Sequence, residues 1–174
     1  RMNLDKWIWK WKTSVGKRLS KLLDINHVDI DREIEKDEEM SLSKLITQKG
    51  EAVFRGLEKD KLKVIIDSPS PLIASSGGGI ILDDENRQLI KEKSMGVYLI
   101  CDVDEITKRL NILNRPLLYD TNKKGQLGDM LKDREKFYHE VSEITVDITG
   151  LSIQNAAQEV CNKVEHVRTW FYHI

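Results

Sequence analysis

Asp29 and Asp31, followed by Glu35, are the first residues along the chain whose types and spacing suit chemistry. In an extended segment at a strand end both aspartates point to one side, where they can serve a metal ion and the hydroxyls of a polar ligand. Their plainer use is as helix caps or solvated charges. A second group is Gly50-Glu51-Ala52-Val53-Phe54-Arg55-Gly56-Leu57-Glu58, expected inside a helix, where Glu51, Arg55 and Glu58 share a face. That face is either an exposed ion-pair ladder or an arginine aimed at a ligand carboxylate. Ser75-Ser76-Gly77-Gly78-Gly79 follows an apolar run, and three consecutive glycines let backbone approach a ligand where side chains would block it. A flexible turn is the alternative. Arg115-Pro116-Leu117-Leu118 presents an arginine on a stiffened loop, and Asp133 to Glu140 carries another anion-binding candidate, Arg134. Taken singly, both arginines read as surface charge.

These groups need elements to hold them. Four short β-branched or apolar runs, at 27–30, 72–74, 97–100 and 144–148, read as strands. Helical spacing occupies 15–23, 42–62, 86–93, 104–113, 127–141 and 153–167. Alternation of the two predicts an α/β domain, a parallel sheet with helices on both faces, whose ligands gather at the carboxyl ends of the strands. The stretch 111–126, with Pro116 and Gly125, is the one long loop and is expected to act as a lid. Residues 165–174 form an aromatic tail, containing Trp170, Phe171 and Tyr172, that is expected to pack back on the domain.

The bulk numbers narrow the partners. A chain of 174 residues is the size of one domain, so 1–174 is read as a single unit. With 28 Lys and Arg against 29 Asp and Glu, the net charge of -1 offers no general attraction to nucleic acid or an anionic membrane. Cys101 and Cys161 lack metal-ligand or CxxC spacing and read as reduced structural thiols, which suits a cytoplasmic protein. No run is long and apolar enough to span a bilayer.

Order and spacing then combine the groups. Asp29, Asp31 and Glu35; Gly50, Glu51, Phe54, Arg55 and Glu58; Gly77 to Gly79; Asn86 and Arg87; Arg115 to Leu118; and Arg134, Tyr138 and Glu140 together resemble the shikimate kinase family over about residues 13 to 146. The resemblance implies a nucleoside-monophosphate-kinase-like P-loop fold and a monomer. It also implies ATP-dependent phosphorylation of shikimate, with ATP and Mg²⁺ bound. By the same resemblance Asp31, Arg55, Arg134, Gly77, Gly78 and Gly79 hold shikimate, and Asp31 is the base for the attacking hydroxyl. Lys12, Thr13, Ser14, Arg109 and Arg115 serve ATP, with Lys12 and Arg115 also catalytic. Thr13 ligates Mg²⁺, and Asp29 reaches it through water. The alternatives are a shikimate-binding protein that has lost its nucleotide loop, or a kinase of another sugar acid such as gluconate.

One stretch departs from the family. Where its members carry Gly-x-x-Gly-x-Gly-Lys-Ser/Thr, this chain has Lys6-Trp7-Ile8-Trp9-Lys10-Trp11-Lys12-Thr13. Without the glycines a cradle of backbone N–H groups around phosphate is not expected to form. Trp is encoded by TGG alone, and each of Trp7, Trp9 and Trp11 precedes a codon beginning with A. Read one base later, all three become glycine, so a compensated frameshift over about residues 3 to 12 accounts for the segment. Read at face value, alternating Trp and Lys is the makeup of a short membrane-interface or nucleic-acid contact.

Overall fold

The computed structural model of the chain describes residues 5–106 and 121–171. In chain order the elements are α1 (Asp5–Leu23), β1 (Asn26–Asp29), α2 (Ile30–Asp37), α3 (Leu42–Lys49), α4 (Glu51–Ile66), β2 (Leu72–Ser75), a 3₁₀ turn (Ile80–Leu82), α5 (Asp84–Lys93), β3 (Val97–Ile100), α6 (Thr121–Glu140), β4 (Ile144–Asp147) and α7 (Ile153–Phe171).

All four expected strands form, and each pairs in parallel. β1 lies beside β2 with Asn26 opposite Leu72 and Asp29 opposite Ser75. β3 lies beside β4 with Val97 opposite Ile144 and Ile100 opposite Asp147. They make two two-stranded ladders and not the single sheet expected. Before β1 the described chain holds α1 over 5–23 and a two-residue turn, so among the described residues no earlier strand is present to pair with β2 or β3.

Several boundaries differ from the sequence expectation. The helix expected over 42–62 is two helices. Ser41 caps α3 by accepting from the Lys44 N–H at 3.3 Å, and Gly50, at φ +90°, ends α3 and starts α4. Few residues but glycine adopt that angle without strain. The strand expected to reach residue 30 stops at Asp29, whose carboxylate accepts from the Arg32 N–H at 3.1 Å and so caps α2. Asp31 therefore sits in a helical first turn, not in extended chain beside Asp29. The loop expected to run to residue 126 ends by 121, because α6 starts there and buries Leu127 almost completely. The tail continues α7 as helix through Phe171.

Two cores hold these elements. Val15 and Leu19 of α1 meet Ile144 and Val146 of β4 and Ala156, Ala157 and Val160 of α7 in the first. The second joins Ile30, Ile34, Leu42, Leu45, Phe54 and Leu62 of α2, α3 and α4 to Ile80 and Ile81 of the glycine-rich turn. The first fixes α1 over the strands and the second presses the turn against α4. α1 comes close enough to the strands that a Cβ on Gly16 would stand 2.6 Å from Ser75 Oγ and 2.8 Å from His27 Nε2. Those two side chains hydrogen-bond across β1 and β2 at 2.8 Å.

Candidate acceptor site

The site grows from α4. Arg55 extends from its second turn and gives Nη1 to Glu58 Oε2 at 2.7 Å and Nη2 to Glu51 Oε1 at 3.2 Å. This is the face anticipated from the sequence, but it is not an exposed ladder: Glu58 is 0 % exposed. A buried carboxylate this close to one guanidinium fixes where the arginine points.

Asp31 arrives from the first turn of α2 and is 4 % exposed. Its pKa is raised to about 7, first by burial, then by the charges of Glu58 and Asp29, with Lys12 and Arg55 pulling the other way. Among the described residues its Oδ1 has no hydrogen-bond partner. A buried acceptor left over is what a ligand hydroxyl would satisfy.

The glycine turn closes the third side. A Cβ on Gly77 would stand 3.3 Å from Glu58 Oε1 and 3.4 Å from Asp31 Oδ1. A Cβ on Gly79 would overlap the Arg55 guanidinium. Glycine is needed here for closeness. Gly78 turns its carbonyl the other way, to accept from Tyr138 Oη at 2.8 Å. Asp31, Arg55, Gly77 and Gly79 are thus brought together, with Glu58 between them. Glu58 belongs to the sequence pattern as a ladder charge and a motif position with no ligand role assigned, and its burial is not readable from spacing.

The other expected residues are placed as follows. Arg134, from α6, lines an open cavity of about 480 Å³ with Leu82, Met130 and Phe137. Thr13 donates Oγ1 to Asp29 Oδ2 at 2.6 Å, and both are buried. The Lys12 carbonyl accepts from Ser75 Oγ at 3.3 Å, and Ser14 lies half-buried in α1. Arg109, Arg115 and residues 111–120 of the expected lid lie outside the described residues.

The phosphate-loop segment is helical throughout, because α1 starts at Asp5. The expectation that no cradle forms there holds, for a backbone reason: in a helix each N–H beyond the first turn is given to the carbonyl four residues back. Residues 9 to 13 therefore have no N–H group to offer a phosphate. No helix among the described residues is long and apolar enough to cross a membrane.

Comparison with known proteins gives a consistent result. The family model described as shikimate kinase matches residues 11–165. A shikimate kinase of Dictyoglomus turgidum is 33 % identical over 159 residues, covering 88 % of this chain and 90 % of that protein. One of Alkaliphilus oremlandii is 34 % identical over 155 residues, covering 87 % of this chain and 91 % of its own. Among solved structures, a shikimate kinase from Acinetobacter baumannii in complex with shikimate superposes with a TM-score of 0.79 at 31 % identity, covering 89 % of this chain and 87 % of that one.

Proposed function

The chain belongs to the shikimate kinase family, and from that premise we propose that it transfers a phosphoryl group from ATP to the 3-hydroxyl of shikimate. The observation that carries the acceptor is the junction of Asp31, Arg55, Gly77 and Gly79 around buried Glu58. Arg55 and Arg134 grip the ligand carboxylate, since a planar five-donor guanidinium can serve Glu58 and a second carboxylate at once. Gly77 to Gly79 pass the ring at backbone distance. Asp31 accepts the hydroxyl proton as the oxygen attacks. A carboxyl held near pH 7 is suited to that task, being ionised in part yet basic enough to take a proton.

The donor side divides in two. Thr13 and Asp29, a hydroxyl and a carboxylate 2.6 Å apart, form an oxygen set that fits Mg²⁺, with Lys12 adjacent in sequence. When bound, the ion screens phosphate charge from the incoming hydroxyl. The backbone of residues 9–12, next to Lys12, does not fit a triphosphate, because its N–H groups are spent in α1 and the whole stretch 5–12 contains no glycine. That helix favours a second reading, in which the chain binds shikimate without transferring phosphate.

Calorimetric titration with shikimate, followed by a coupled assay with shikimate and MgATP, separates the readings. Turnover supports phosphotransfer. Saturable shikimate binding without turnover supports the second reading, and no shikimate binding overturns both.

A further inference from the structure

Asn86 and Arg87 stand in the sequence pattern without a task, and the structure places both behind the glycine turn. Asn86 is 2 % exposed and donates Nδ2 to the Ile80 carbonyl at 3.1 Å. Arg87 donates Nη1 to the Ile81 carbonyl at 2.8 Å. With Tyr138 on the Gly78 carbonyl, three carbonyls of the turn are drawn toward α5 and α6. The positions of Gly77 and Gly79 then face Asp31, Glu58 and Arg55.

Arg87 does more than hold the turn. Its side chain is 12 % exposed, its Nε lies 3.0 Å from Glu140 Oε2, and its guanidinium sits 4.3 Å from the Phe137 ring centre. It also pairs with Asp84, which keeps it on α5. Phe137 lies three residues from Arg134 on α6, on the same wall of the open cavity. One cation therefore touches the backbone of the turn and the helix that carries Arg134.

We propose that Arg87 is a positioning residue for the acceptor: it locks the glycine turn to α6, so that the backbone of Gly77 to Gly79 and the guanidinium of Arg134 meet one ligand at a set separation. The assignment rests on the acceptor reading above. Arginine is suited to it because one rigid fork reaches a carbonyl, a carboxylate and an aromatic face together. Lysine, a point charge, cannot do all three.

The test is a cycle of shikimate affinities measured by calorimetry on the full chain, with Arg87→Gln made alone and in an Arg134→Lys background. Arg87→Gln is expected to weaken shikimate binding about tenfold alone and by less than about twofold beside Arg134→Lys, since contacts that act through one another are not additive. Equal loss in both backgrounds means that Arg87 serves general stability, and overturns the role. So does an affinity within about twofold of the parent for Arg87→Gln alone. Should Arg87→Gln fail to fold, Glu140→Gln decides. It changes a half-exposed carboxylate and leaves Arg87 in place, and is expected to weaken shikimate about threefold, an unchanged affinity overturning the role. A parent chain that binds no shikimate overturns the acceptor reading itself, an outcome distinct from a parent that binds and a variant that binds equally well.

Discussion

At the scale of single residues, the site is governed by three charges in a small buried volume. Asp31 and Glu58 are both nearly inaccessible, and Arg55 is the cation between them and the turn. Asp31 has a folded pKa of about 7 against an ordinary value of 3.8, so between those pH values the folded chain holds a proton that the unfolded chain has lost. Stability on this account falls as pH rises from 4 to 7 and then levels. Asp31→Asn removes the titration. At pH 8 that variant should melt several degrees above the parent, and below pH 4 the two should melt alike; identical melting curves at both ends would contradict the buried-carboxyl account. Catalysis should move oppositely, with parent turnover climbing through pH 7 as Asp31 ionises and Asp31→Asn inactive. Glu58→Gln keeps the shape and removes the charge that orients Arg55. Shikimate affinity should fall about tenfold, read by titration, since a charge-assisted bond is exchanged for a neutral one. The same change takes away one cause that raises the Asp31 pKa, and the rising limb of the pH profile should shift to lower pH.

At the scale of elements, glycines separate folding from binding. Gly50 joins α3 to α4 at φ +90°, with open space where a Cβ would go, so Gly50→Ala meets strain and no clash. About 1 kcal/mol of stability, or about 3 °C in melting temperature, should be lost with shikimate affinity unchanged. Gly79→Ala should do the reverse. Its Cβ would overlap the Arg55 guanidinium, the far end of a flexible side chain that can move aside. Folding should survive while shikimate binding weakens about tenfold, measured by titration and thermal melting on the same samples. Equal losses in both properties at both positions would show that the turn and the helix junction are one mechanical unit.

At the scale of the whole molecule, Asp31, Arg55, Gly77 and Gly79 meet around Glu58, and Thr13 bonds Asp29, while the segment before Lys12 is helix. α1 packs on α7 and the strands through Val15 and Leu19, both beyond the Trp and Lys segment. Replacing Trp7, Trp9 and Trp11 together by glycine weakens helix over that stretch and frees backbone N–H groups before Lys12. Nucleotide affinity should rise at least about tenfold, read with a fluorescent ATP analogue, while shikimate affinity stays put. No gain in nucleotide binding would mean that the missing cradle is not what limits the donor side.

The amino-acid sequence by itself determined the four strands and most of the helices, and singled out Asp31, Arg55, Gly77 and Gly79, which the fold brings together, because periodicity, glycine runs and ordered motifs are local properties of a chain. Which of those charges became chemistry was decided only by tertiary structure. Glu51 and Glu58 look alike as neighbours of Arg55, yet the second core buries one and leaves the other exposed. Asp29 and Asp31 read as a pair along a strand, yet capping by Asp29 starts a helix between them, turning one toward Thr13 and the other toward Glu58 and the glycine turn. Arg87 shows no role until α5, α6 and the turn meet around it, since a side chain that bridges three elements has no signature in any one of them.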